Sequence, residues 1–269
     1  MRHLFTICCI ALTGGLAFVP ARAVDAQNVR LAAASTRPAS PVVGEQVPSE
    51  DPSIKDFHSL GVVNGQLRLF RSASLSRDLF REAQANEAAA RLEVRARMER
   101  LVKLGVRTIV SLEAPDPATA KKSDTPAERE ARIRWCNTEK AEAAAAGIKY
   151  ISHPIANAGA ESLEDLSDAQ VVNILDSTLE VIFKAADDGG VVFHCSAGHD
   201  RTGITAAYIR LKIQKWPVDQ AIAEMRRLGH NWPKFSKNDG QTSWHEDHLR
   251  AIDRLLREQQ AQGAAISRE

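Results

Sequence analysis

Residues 191–203 read VVFHCSAGHDRTG, and this stretch constrains the fold more than any other. Val191-Val192-Phe193 is a short continuous apolar run, the signature of a strand buried on both faces of a sheet. Gly198 allows a tight curl that a β-carbon would obstruct. Helical spacing begins just after it, over about 202–214. A buried strand that crosses a short glycine loop into a helix predicts an α/β fold.

The flanking segments agree. Residues 66–72 alternate polar and apolar and read as a strand. A helix is expected over 83–104, with Leu92, Met98, Leu101, Val102 and Leu104 on one face and Gly105 ending it. Residues 107–112 form the next strand, closed by Pro115 and Pro117. Pro126 opens a helix that Gly147 ends, and 148–151 is a strand broken by Pro154. Ser167 and Gln170 make a capping box, ahead of a stripe of Val171, Ile174, Leu175, Leu179 and Ile182. Further helices are expected over 218–228 and 244–259. The fold class is therefore α/β, a central, mostly parallel sheet flanked by helices.

The N-terminus has another character. A basic start at Arg2-His3 precedes an uncharged apolar run, and Ala21-Arg22-Ala23 offers a small-x-small cleavage pattern. Residues 1–23 are expected to be an export signal, which places the mature protein in the periplasm or outside the cell. The apolar run is short for a membrane span, so no stable span is expected once the signal is cleaved. Residues 24–52, rich in Ala, Pro, Ser and Val, read as a flexible linker. One domain is expected over 53–262, with a disordered tail over 263–269. A formal net charge of +1 argues against a nucleic-acid binder, so any anion site must be local. Beyond the signal only Cys136 and Cys195 remain, too few for a disulfide framework.

The loop carries the chemistry. Its peptide N–H groups and the helix N-terminus together make a nest for a tetrahedral oxyanion, formed by Ser196, Ala197, Gly198, His199, Asp200 and Arg201. Arg201 offers a planar fork that grips two phosphate oxygens. Cys195, at the floor of this positive bowl, loses its proton easily and is placed for in-line attack on a bound phosphoryl group. Thr202 would sit beside the sulfur and assist its departure, and His194 would order the loop through hydrogen bonds. No metal or other cofactor is expected.

The run from His194 to Gly203 resembles the phosphate-binding loop of the cysteine-dependent protein tyrosine and dual-specificity phosphatases, in particular the bacterial and fungal branch with Asp before the Arg. The likeness extends to Leu69-Phe70-Arg71-Ser72, to residues 105–112 and 150–155, and downstream to 221–229. It implies a metal-independent phosphomonoesterase acting on a phosphorylated protein or a small phosphate ester. In it Cys195 is the nucleophile, Arg201 binds phosphate and stabilises the transition state, and Thr202 assists turnover.

One position departs from that pattern. Such enzymes usually carry a proton-donating Asp after the strand that here ends at Pro154-Ile155, and this chain has Asn157. Asp200 is the favoured acid or water-positioner, with Glu161 and Asp165 behind it. An inositol-phosphate or phosphoinositide phosphatase, and a catalytically weak phosphate-binding pseudophosphatase, stay open. His245-Glu246-Asp247-His248 lacks the spacing of a zinc motif and reads as a solvated helix start. Cys136 reads as a packed thiol, and Trp216, Trp232 and Trp244 as packing anchors.

Overall fold

The computed structural model describes residues 51–63, 67–82, 86–113, 125–155, 163–230 and 243–266. The expected export signal and nearly all of the expected linker lie outside these residues. Five strands form one sheet in the order β1-β2-β5-β3-β4: β1 is His58–Val63, β2 Leu67–Ala73, β3 Val106–Ser111, β4 Lys149–Ser152 and β5 Gly190–Cys195. Every pairing is parallel except the β1–β2 hairpin at one edge. The expected α/β class, with a mostly parallel sheet, is what the chain adopts.

β5 is buried along its whole length, as its central place and apolar run require. Its side chains alternate between two cores. On one face Phe70, Ile109 and Val192 meet Val94, Met98 and Leu101 of α2 (Glu87–Lys103) and Ala143 of α3 (Pro126–Ala145). On the other, Leu69, Val110, Val191 and Phe193 meet Val171, Leu175 and Ile182 of α4 (Asp168–Ala186) and Ile204 and Ile209 of α5 (Arg201–Lys212). A short helix α1 (Arg77–Glu82) follows β2, and α6 (Val218–Arg227) and α7 (Trp244–Ile266) complete the second layer.

The start signals hold at the atomic level. Ser167 and Gln170 form the expected reciprocal capping box, and Thr125 with Glu128 forms a second at the start of α3.

Several details differ from expectation. β1 was not expected, because Gly61 breaks its alternation and shifts the register against β2. α1, six residues long, is too short to display a period. Leu92 is 63% exposed, and the buried stripe of α2 runs through Ala90, Val94, Met98 and Leu101 instead, because Leu92 is two residues from Val94 and so on the opposite side of the helix. α7 continues to Ile266, so the first residues of the expected tail are helical; its Ala and Gln residues suit a helix and contain no proline. Of the helix start at His245-Glu246-Asp247-His248 only Asp247 is solvated. His245 and Glu246 are fully buried, because the first turn of α7 packs on α6 and on the start of α4.

Among the described residues no helix is long and apolar enough to cross a membrane. Among them, too, no group of His, Cys, Asp or Glu is arranged to hold a metal ion.

Candidate active site

Parallel strands deliver their C-terminal ends to one edge of the sheet, where a crevice between crossovers forms the usual ligand site of open α/β folds. Here Ala73 of β2 lies opposite Cys195, and Ser72 of β2 and Ser111 of β3 lie opposite His194. Cys195 is thus the last residue of the central strand and Arg201 the first residue of α5. The five residues between them make the whole connection.

That loop is held from outside by its carbonyls. Ser74 N–H donates to Ser196 O at 3.3 Å and Ile204 N–H to Asp200 O at 2.8 Å. The guanidinium of Arg71, only 1% exposed, donates from Nη2 to Gly198 O at 2.5 Å. A loop whose carbonyls turn to outside partners presents N–H groups to its interior, the arrangement that suits an oxyanion. Gly198 has φ +78°, and a β-carbon there would come within 2.7 Å of Ala73 N and 2.8 Å of Ser72 O. Only glycine fits between the loop and β2.

Cys195 is buried, and burial alone would raise its pKa. The charge of Arg201 and the hydroxyl and N–H of Thr202 outweigh that and hold the thiol below its ordinary value. Among the described residues the buried Thr202 hydroxyl has no oxygen or nitrogen partner, and it is the hydroxyl that hydrogen-bonds the Cys195 sulfur. Arg201 donates from Nη1 to Leu112 O at 3.0 Å, while its buried Nε makes no hydrogen bond among the described residues. One edge of the fork is thus anchored at the end of β3, an arrangement that leaves the other edge suited to a bidentate ligand.

His194 does more than was read from the sequence. Its Nε2 lies 2.6 Å from Oε1 of Glu139, midway along α3, and both side chains are almost fully buried. Oε2 of Glu139 also accepts from Ser74 Oγ and Leu75 N–H at 2.9 Å and from Ser76 Oγ at 3.2 Å. Burial opposes both charges, yet each partner prevails over it: Glu139 is held below the usual carboxylate range and His194 above the usual imidazole range. The imidazolium–carboxylate pair ties α3 to the base of the loop and to the end of β2.

His199 and Asp200 are also held from outside. His199 Nε2 lies 3.2 Å from Oδ2 of Asp56, whose φ is +53°. The hydrogen bond to His199 lowers the Asp56 pKa. Asp200 Oδ1 is 2.8 Å from Nδ1 of His230. Asp165 is exposed in the 3-10 turn Leu163–Asp165; Asn157 and Glu161 lie outside the described residues.

Glu139, Arg71, Asp56 and His230 were missed as parts of the site. Arg71 and Ser72 did carry a signal, since a charged and a polar residue closing an apolar strand are hard to reconcile with a core. Glu139 sits among other Glu and Lys residues on a polar helix, and nothing in the sequence distinguishes it.

A family model described as the tyrosine phosphatase family matches residues 66–224. The dual specificity protein phosphatase TpbA of Pseudomonas aeruginosa, in strains UCBPP-PA14 and PAO1, is 36% and 34% identical over 64 residues. That match covers 24% of this chain and 28% of the relative, so the chain aligns with little more than a quarter of the curated relatives' length. Among solved structures, P. aeruginosa TpbA is 22% identical, with a TM-score of 0.45 over 80% of this chain and 98% of the other. A TpbA variant in complex with pTyr is also 22% identical, with a TM-score of 0.41 over 78% and 98%. The catalytic core of the PP-IP phosphatase SIW14 from S. cerevisiae is 18% identical, with a TM-score of 0.39 over 73% and 85%.

Proposed function

The chain belongs to the tyrosine phosphatase family, and from that premise we propose that it hydrolyses phosphate monoesters, phosphotyrosine among them, through a cysteinyl-phosphate intermediate. The observation that carries this reading is the buried Cys195 thiol with its lowered pKa, at the base of a loop whose Ser196, Gly198 and Asp200 carbonyls are taken up by Ser74, Arg71 and Ile204. The N–H groups of residues 196–201 and the free edge of Arg201 hold the phosphoryl oxygens. The Cys195 thiolate attacks phosphorus in line; the S–P bond forms as the P–O bond to the leaving group breaks. Asp200 gives its proton to the departing oxygen and then, as carboxylate, takes one from the water that attacks the phosphoenzyme. The S–P bond breaks, inorganic phosphate leaves, and Thr202 receives the thiolate with a hydrogen bond. His194 remains charged against Glu139 and transfers no proton.

Phosphotyrosine is favoured as a substrate by the pTyr-bound relative. One observation favours a polyphosphorylated substrate instead. A cavity of about 50 Å³ beside the loop shares Ser196 and Ala197 with it and is lined by Lys55 and Arg77, which suit a second anionic group. Asp78 lines it too and offsets part of that charge. The export signal read in residues 1–23 supports action outside the cytoplasm.

The test is turnover of an aryl phosphate by the wild type and by Cys195→Ser, each with and without chelator. Turnover that disappears in Cys195→Ser and ignores chelator supports the reading. Activity that chelator removes and a divalent ion restores contradicts it.

A further inference from the structure

Asp200 is the residue immediately before α5, where an Asp side chain ordinarily accepts a hydrogen bond from the first turn of its own helix. It makes no such bond. Its Oδ1 is turned instead to Nδ1 of His230, at 2.8 Å, and its side chain is 21% exposed while that of His230 is wholly buried. The other ring nitrogen of His230 lies 2.8 Å from Oγ of Ser243, the fully buried residue ahead of α7. Asp200, His230 and Ser243 thus form a continuous hydrogen-bonded chain from the phosphate loop into the protein.

The inner end of the chain suits one direction. Ser243 Oγ accepts from Glu246 N–H, a long contact of 3.4 Å, and its own hydroxyl proton can then be donated to His230 Nε2. Nε2 is then the acceptor, and the ring proton sits on Nδ1, facing Asp200. The ring has little room to turn. His245 meets it edge-on at 4.7 Å between centroids and is itself stacked on Trp244 at 3.4 Å. Gly229, just before it, has φ +94°, and a β-carbon there would run into the His199 ring at 2.7 Å.

We propose that His230, oriented by Ser243, is a positioning residue that engages Oδ1 of Asp200 and so confines the catalytic proton to Oδ2, the oxygen without a partner among the described residues. The inference rests on Asp200 being the acid. His230 only donates a hydrogen bond and transfers no proton; the proton that reaches the leaving oxygen comes from Asp200, and the proton returned to Asp200 comes from the attacking water. The role is geometric, and its loss is felt only where the leaving group needs a proton.

Turnover of an alkyl phosphate and of p-nitrophenyl phosphate, whose leaving anion departs without help, measures this. In His230→Ala the ratio of the two rates should shift against the alkyl ester by about 100-fold, the usual cost of an angstrom of misplacement. His230→Asn, whose amide N–H takes the place of Nδ1–H, should restore most of the ratio. Added to Asp200→Asn, His230→Ala should cause no further shift. If His230→Ala does not fold, Ser243→Ala keeps the ring, frees its tautomer, and should move the ratio the same way. Equal losses on both esters in these variants, with a shifted ratio in Asp200→Asn, would overturn the role of His230 and leave Asp200 as the acid. An unshifted ratio in Asp200→Asn itself would overturn both.

Discussion

Glu139→Gln removes one charge from a buried pair and keeps the shape of the side chain. At 2.6 Å, and at the effective dielectric of about 20 that suits such sites, the attraction is about 6 kcal/mol. Part of this is recovered in the variant, because the stranded imidazole sheds its proton. The expected net loss is about 3–5 kcal/mol, the usual result of breaking a buried pair from one side. For a domain of this size that lowers the melting temperature by roughly 6–20 °C. The loss also has a pH window. His194 is raised by the pair, so its contribution is complete below the unfolded value of about 6.5 and fades as pH rises through the folded one. Glu139 is lowered, so its contribution is complete above about 4.5 and fades as pH falls through the folded value. The difference between wild type and variant should therefore be widest between about pH 4.5 and 6.5. Melting followed by circular dichroism from acid to mildly basic pH measures it. A variant that melts with the wild type across that window, or a difference independent of pH, would refute the ion pair.

Alkylation of native protein by iodoacetamide should label Cys195, with a rate midpoint below the ordinary thiol value of about 8.5. Thr202→Val should move that midpoint up, while Cys136, whose thiol burial pushes far up, stays unlabelled until the protein unfolds. Arg201→Lys keeps the charge but loses the fork, so vanadate should inhibit it much less than wild type. Equal inhibition of the two proteins would remove Arg201 from the phosphate.

How far these features could be read in advance depends on the range of the interactions. β5, its loop and the start of α5 are contiguous, and both the fold class and the Cys195–Arg201 geometry follow from local pattern. The capping box at Ser167 is equally local. The contacts that hold the loop are not. Arg71 reaches Gly198 across 127 residues, and Ser74 meets Glu139 across 65. A buried Glu on a polar helix resembles its exposed neighbours until its partners are in place. The His245–His248 segment was misread for the same reason: its partners Arg226, Asp168 and Leu163 are distant in sequence, and they turn a charged helix start into a buried one.

The central claim is a covalent bond between phosphorus and the sulfur of Cys195, and it is tested most directly by trapping it. Asp200→Asn mixed with an aryl phosphate and quenched in acid within the first turnover should yield a peptide that contains Cys195 and carries one phosphoryl group, found by mass spectrometry. The phosphoryl group should be absent from Cys195→Ser treated in the same way. Phosphate found on a different residue, or steady turnover by Cys195→Ser with no phosphoenzyme in either protein, would contradict the account.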